Sequence, residues 1–596
     1  MKKHSKSPKF GLLLVGWLFV LILVQINNAL GQTIELVGSA SSINNTRVPV
    51  INDAGNVFYV NGNSYVIGNP TTSVLKTFAS VTTLLAPGSG DTVPYVLSSN
   101  GTLTYITTTA LVQSNLTQTL TVAQGNTAAA GFGNPLIKYA YDSFSKESGV
   151  FDFGVAPDDS ISFRSAISSN GFFFGYVGVY AGPAASPSLV MDSFHSPPGL
   201  PGYTVDNNGY FHASRNAHGL SLFIGRVYNN SLGDDGTGIW LHDLANGTRL
   251  AHLVSLYYGS PFPGNPAMRL IGTEFGINNW PALDDDGRYA FVANGSLPTP
   301  PYTSSSGVFA GFENNLQPVA TNGLAVPGYP GTSFYNFNGN GPVRMGVGGK
   351  TVFLASIAGA GITYGVNDRV LVMGSNPGDL KILAHAGDQA PGMPPGTVWQ
   401  QFIIDGSGLN ENPVSYPIND QLVMFGNNRV AFVGQVNGPS ITNSGTSGAN
   451  DSGIWVTDDD GNLTLLARRG TPIVTTTVTK SATNYFALQG GSGRDGKPSS
   501  GNRAGQLAFA NGTNTFRVTF AQPVALVMNS PVVMGNQVQF SFATQTGKTY
   551  YVQVSSSLSA PSWSNAQTNI GDGTTKTYTF NPSGPAGFYR LLSTTP

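Results

Sequence analysis

Two acidic runs, Asp284-Asp285-Asp286-Gly287 and Asp458-Asp459-Asp460-Gly461, raise the question of a metal. Calcium takes six to eight oxygens from spaced carboxylates, usually with a later Glu, and adjacent aspartates do not supply that spacing. Asp and Gly between apolar runs are instead what tight turns use, for side-chain hydrogen bonds and for positive φ. We therefore expect turns and no cofactor, with calcium as the one alternative. Gly491 to Lys497 reads G-x4-G-K, but Pro498 stands where a phosphate loop needs Ser or Thr, and "SSGNRAG" is no helix. A flexible loop is expected there.

The seven histidines form no HExxH motif. His212, His218, His242 and His252 lie near one another in sequence and could meet around a metal across a sheet, whereas His385 reads as a loop residue. No G-x-S-x-G elbow occurs, and with no cysteine the chain has no thiolate, disulfide or cysteine nucleophile. A glycosidase or lyase would need carboxylates meeting in one cavity, for which Asp152, Asp158, Asp159, Glu274 and Glu313 are available. Nothing in the sequence shows which of them face inward, so no catalytic residue is assigned. Trp280 and Trp399 are the candidate ligand-binding residues, as platforms on which a sugar could stack. Trp240 and Trp455 occupy equivalent places in two similar segments and read as packing residues.

The elements that would position these side chains are short strands. Only 10% of the 596 residues are charged, 40% are hydrophobic, and 75 glycines with 38 prolines punctuate the chain. The formal net charge of -1 and the lack of a basic stripe beyond the N-terminus argue against a nucleic-acid partner. At the N-terminus, "MKKHSKSPKF" followed by the apolar Gly11 to Val24 and by "NNALGQ" reads as a secretory signal over 1–31. The competing reading is an uncleaved anchor, but the apolar run is shorter than the ~20 residues a span requires. A secreted or cell-surface chain with no membrane span in its mature part is expected.

Self-comparison places "LQPVATNGLAVPG" (Leu316 to Gly328) under "LKILAHAGDQAPG" (Leu380 to Gly392), and a third copy begins at Leu463. "DDDGRYAFVA" and "NRAGQLAFANG" share an opening that recurs degenerately in "INDAGNVFYV", "SSNGFFFGYV" and "VDNNGYFHAS". Units of roughly 60–80 residues, each a small antiparallel sheet, bury their faces best by stacking radially. The fold expected is all-β: a β-propeller-like domain over 32–522 with six to eight blades, followed by a small antiparallel β-sandwich over 523–596. A β-solenoid or a string of sandwiches is the competing architecture.

The N-x-x-G-x-x-A-F opening, followed by "GIW", L-x-L-L-A-x-x-G and "APG", resembles the NxxGxxAF tandem-repeat proteins secreted by environmental bacteria, over much of 200–515. Asp286, Arg429 and Gly505 depart from its spacing. The resemblance implies an extracellular repeat architecture and no catalytic activity. "GKTYYVQVSSSL" (Gly547 to Leu558), Trp563, "GDG" and "FYR" (Phe588 to Arg590) are similar to a fibronectin-like C-terminal module of exported proteins from Verrucomicrobia, which implies an accessory or sorting role; Trp563 and Tyr589 read as core residues. The expected function is a binding or scaffolding module for extracellular polysaccharide or surface proteins. A polysaccharide-active glycoside hydrolase or lyase is the alternative, and a structural surface-layer component the third reading.

Overall fold

The computed structural model describes residues 32–39, 48–61, 64–80, 95–107, 109–115, 117–132, 139–141, 153–169, 172–206, 211–255, 257–271, 281–297, 304–313, 315–337, 342–402, 421–442, 448–484, 486–520, 528–534, 537–544, 548–555, 562–581 and 588–594. The signal segment 1–31, Asp152, Glu274 and Trp280 lie outside them. Among the described residues no helix is long and apolar enough to cross a membrane. The chain divides into two compact units, 1–520 and 521–596.

In the first unit, eight antiparallel sheets of four to six strands follow one another along the chain. We call them blades 1 to 8, at residues 50–80, 95–124, 139–192, 204–255, 261–321, 332–385, 398–468 and 486–520. Strand Gln32–Ser39 pairs with Asn514–Phe520, so the earliest described strand completes the outer side of blade 8. Every neighbouring pair of blades shares its own buried apolar cluster, blade 8 with blade 1 included, through Val37, Tyr59 and Ala508. Each sheet thus buries one face against the next, as period-2 strands with β-branched and aromatic residues require, and the ring closes. This is a β-propeller-like body.

The strand counted here as first is the one beside the axis; in blades 3 to 7 an earlier short strand, such as Tyr139–Tyr141 or Thr332–Asn336, pairs with the other end of the same second strand. Phe153–Val155, Phe211–Arg215, Ala282–Leu283, Arg344–Met345 and Leu422–Phe425 touch one another in that order, and Val50–Ile51 touches both Tyr95–Leu97 and Gln506–Asn511. Antiparallel connections alternate between the two ends of a sheet, so each blade has two faces. Turns between first and second and between third and fourth strands lie on one, here the turn face. The remaining connections, including the Pro-Gly loops that lead to the next blade, lie on the other, the loop face.

The Asn-x-x-Gly openings are the turns that follow the inner strands. In each of Asn52–Asn56, Asn216–Leu220, Asp284–Arg288 and Asn502–Gln506, the fourth residue donates its N–H to the carbonyl of the first. The fourth residue is a glycine with φ between 75° and 89°, the left-handed conformation that a three-residue hairpin loop with a bulge demands. The first side chain accepts from the backbone N–H of the fifth residue at 2.8–3.0 Å. Several of these first residues also reach a neighbouring blade: Asn502 Nδ2 donates to Asn52 O at 2.7 Å, Asn52 Nδ2 to Ser98 O at 3.1 Å, and Asn216 Nδ2 to Asp284 O at 2.9 Å. The motif therefore bends one blade and links it to the next.

In the second unit, one sheet contains Val532–Met534, Gln537–Ala543 and Thr575–Phe580, and the other Thr549–Ser555, Ser564–Ile570 and Phe588–Thr594. Phe540, Phe542, Tyr550 and Val552 form their common core, with Tyr589 packed against it, which makes a small β-sandwich. Trp563 is not in that cluster; the Arg590 guanidinium covers its ring at 4.4 Å.

Asn502→Ala removes a buried donor and acceptor from one blade, takes the partner of Gln506 N–H and leaves Asn52 O with Gly55 N–H alone. We expect a loss of about 2–3 kcal/mol in urea unfolding; a change below 0.5 kcal/mol would refute the linking role.

Candidate functional site

The axis of the propeller is where carboxylates from several inner strands could converge. It is occupied by the chain itself. Residues 488–503, which hold the G-x4-G-K sequence, leave blade 8, cross the inner strands and return. The stretch expected to be a flexible loop is thus half-buried to fully buried throughout, with Ser492, Asp495, Ser499, Ser500 and Asn502 at 3% exposure or less.

Its burial follows from where its backbone bonds go. Gly491 exchanges hydrogen bonds with blade 7, accepting from Met424 N at 2.9 Å and donating to Leu422 O at 3.1 Å. Ser492 Oγ accepts from Met345 N of blade 6 at 3.2 Å. Asp495 O accepts from Arg215 N of blade 4, Gly496 O from Val155 N of blade 3 and Ser499 O from Ile51 N of blade 1, at 2.9–3.0 Å. Lys497 Nζ donates to Phe153 O at 3.0 Å, and Ser500 Oγ to Pro49 O at 2.7 Å. Gly496 has φ +72°, and a Cβ there would lie 2.7 Å from Val155 N, so only glycine fits.

The acidic run of blade 5 joins this segment. Asp284 and Gly287 close the expected turn, while Asp285 turns inward to accept from Arg494 at 2.6 Å and from Arg503 at 2.8 Å. Arg503 also pairs with Asp53 of blade 1 at 3.0 Å. Burial alone would raise the Asp285 pKa, but the hydrogen bonds and charges of Arg503 and Arg494 outweigh it and hold the carboxyl below its ordinary value. Burial opposes the charge of Arg503 in the same way, and its bonds to Asp285 and Asp53 hold its pKa above the usual value. The second run is also a turn: Gly461 N donates to Asp458 O at 3.1 Å, and Asp459 pairs with Arg429 at 2.8 Å.

Two arginines lie deeper, Arg344 on the inner strand of blade 6 and Arg164 on the second strand of blade 3. Burial pushes Arg344 down to about 10, against the charge of Asp495, and Arg164 down to about 10, against that of Asp206. The space left beside the segment is a cavity of about 40 Å³ between it and blades 1, 2 and 3, bordered by Asn52, Asp53, Ser98, Lys497 and Arg503. That volume admits one or a few waters and no sugar ring.

The other candidate residues do not converge. Asp158 caps its own turn through Ser160, Asp159 holds Ser98 and Thr102 of blade 2, and Glu313 pairs with Arg249 at 2.6 Å. His212 contacts Ser214, His218 the Asp285 carbonyl and His242 Thr248, each through one ring nitrogen. His252 is buried beside Tyr289, with ring centroids 5.9 Å apart. Among the described residues no three His, Asp or Glu side chains are arranged to hold a metal ion. His385 is tied on both nitrogens, to Asp388 at 3.0 Å and Asn367 O at 2.7 Å.

Trp399 corrects its expectation. Its ring is 2% exposed, 4.4 Å from that of Trp455 and 5.6 Å from that of Phe432, and so offers no open face to a sugar. Trp240 and Trp455 are fully buried, and each indole N–H donates to a Pro-Gly loop, at Pro198 O and Pro391 O. What sequence reasoning missed is the pairing of Arg494 and Arg503 with Asp285 and Asp53, whose partners lie more than 200 residues away.

A family model described as a family of unknown function (DUF7453) matches residues 67–513. No curated protein matches the chain. Among solved structures, similarity is found to an α-L-arabinanase of Penicillium chrysogenum complexed with arabinobiose, at 11% identity and TM-score 0.26, covering 62% of this chain and 92% of that one. An exo-β-1,3-galactanase of Phanerochaete chrysosporium matches at 11% identity and TM-score 0.21, covering 76% and 92%. A sialidase titled as Hadza microbial matches at 9% identity and TM-score 0.26, covering 84% and 95%. Likeness at this level carries no inference about activity.

Two outcomes test the site. Gly496→Ala is expected to cost roughly 2–4 kcal/mol, because the methyl group meets the inner-strand backbone and φ is positive; a thermal midpoint equal to wild type would mean the segment is not seated on the axis. Burial pushes His252 down to about 4 from 6.5, so below pH 6.5 the unfolded chain binds a proton that the folded one refuses. Stability should fall between pH 6.5 and 4, by up to about 3 kcal/mol, and His252→Phe should flatten that part of the profile. Equal slopes for the two proteins would show that His252 is not the group responsible.

Proposed function

The chain belongs to the DUF7453 family, and from this premise we propose that it is a secreted or surface-associated binding and scaffolding module that recognises its partner through the faces of the propeller. One observation carries the reading. Segment 488–503 runs along the axis, bonds to inner strands of five other blades and to the Asp285 turn of blade 5, and borders a cavity of only about 40 Å³. A carboxylate pair working on a glycosidic bond needs ~5–10 Å between its members and a sugar ring in that gap. The acids that reach the axis, Asp53, Asp285 and Asp495, spend their lone pairs on Arg503, Arg494 and backbone N–H groups. Export rests on the basic and apolar N-terminal segment. The C-terminal sandwich acts as the accessory module.

The test is a turnover assay on the full chain with soluble and insoluble polysaccharides, following reducing and unsaturated ends. No product above a heat-denatured control is expected. Product that grows in proportion to the amount of native protein would overturn the reading.

A further inference from the structure

The two faces of the propeller differ in what they leave in water. Among the described residues of the first unit, Tyr257 (61%), Tyr258 (52%), Tyr335 (59%) and Tyr364 (83%) are the most exposed large aromatic residues, and all four belong to the loop face, as does Phe194 (40%), whose ring stacks on Tyr176 at 4.0 Å. Phe194, Tyr257 and Tyr258 lie in connections between blades, Tyr364 between the second and third strands of blade 6, and Tyr335 on the strand that enters blade 6. On the turn face Phe312 is comparably exposed, but the Arg288 guanidinium covers its ring at 4.8 Å. Elsewhere the chain buries its rings: Tyr65, Tyr95, Tyr180 and Tyr289 are wholly enclosed. Rings left in water on one face, over the consecutive blades 3 to 6, mark that face for a partner.

We propose that the loop face of blades 3 to 6 binds a neutral polysaccharide, with Tyr257, Tyr258, Tyr335 and Tyr364 as stacking platforms. The proposal rests on the non-catalytic binding reading above and gives it a ligand class and a surface. A tyrosine presents a flat apolar ring with a phenol at its rim, which matches a sugar with its C–H face and its ring of hydroxyls. The rings lie in or beside the connections around blades 4 to 6, spread over successive blades as an extended polymer requires. Arg226, which lies among them, is matched within the face by Asp235 at 2.5 Å and Asp206 at 3.4 Å. A neutral partner complements such a surface, and an anionic one gains nothing from it.

Affinity electrophoresis of the full chain through gels containing arabinan, galactan, xyloglucan, glucomannan or mixed-linkage glucan, with polygalacturonate as the anionic comparison, tests the proposal. Retardation is expected in at least one neutral gel. The double variants Tyr257→Ala/Tyr258→Ala and Tyr335→Ala/Tyr364→Ala should each weaken it roughly tenfold, with thermal midpoints unchanged because the rings are exposed. The matching Tyr→Phe pairs should stay near wild type, and Leu244→Ala on the turn face should have no effect. No retardation in any neutral gel, or retardation confined to polygalacturonate, overturns the proposal. Retardation that both alanine pairs retain also overturns it, while leaving binding at another surface intact. Failure of the non-catalytic reading has a separate signature, the release of sugar ends.

Discussion

The inner strands of this ring have one edge with no strand beside it. Val50–Ile51, Phe153–Val155, Phe211–Arg215, Arg344–Met345 and Leu422–Phe425 each pair with the second strand of their own blade and turn their other edge to the axis. Buried backbone N–H and C=O groups must find partners, and an unpaired one costs about 1–3 kcal/mol. Segment 488–503 supplies those partners at Ile51, Val155, Arg215, Met345 and Met424. Its glycines and serines suit this work, since small side chains let one backbone approach several strands at once. The body is then held by eight apolar seams between blades and by one polar column along the axis.

That division explains which parts of the architecture can be read in the sequence. Strands and turns are local matters. The Asn-x-x-Gly spacing specifies a hairpin loop because its first side chain and its fourth φ act within five residues, as at Asn52 and Gly55. Trp240 and Trp455 read as packing residues because they sit in alternating strands, and they are buried. The axial segment is not legible in this way. "GSGRDGKPSS" has the composition of a solvated loop, and the groups that bury it lie far off along the chain, Phe153 being 344 residues from Lys497. Trp399 misleads for a related reason: it reads as a ring outside the strand core, whereas it lies on strand Val398–Phe402 against Phe432 and Trp455, from strands 30 residues and more further on.

The acidic run of blade 5 shows both levels in four residues. Asp284 and Gly287 act locally, closing a turn, as the sequence implies. Asp285, chemically identical to its neighbours, reaches Arg494 and Arg503 and couples blade 5 to the column. Only the fold distinguishes the two roles.

Filling the axis has a consequence for where recognition can occur. In an open ring the axial cavity gathers side chains from every blade, and a ligand there touches all of them. Here that position is taken by backbone, so a partner can meet only what the connections present. On the turn face those connections spend their polar groups on one another, from Asn502 to Asn52 and from Asn52 to Ser98, and Phe312 is covered by Arg288. On the loop face Tyr329 bonds to Asp388 of the next connection, while Tyr257, Tyr258, Tyr335 and Tyr364 stand exposed, and the connections differ in length from blade to blade. Those connections also help to hold the ring, since Leu200, Tyr203, Val326, Ala390 and Met393 belong to the seams and Pro198 O and Pro391 O accept from Trp240 and Trp455. The exposed tyrosines on or beside them, Tyr257, Tyr258, Tyr335 and Tyr364, stand outside the seams, so these rings can change at little cost to the fold, and that freedom is what a recognition surface needs.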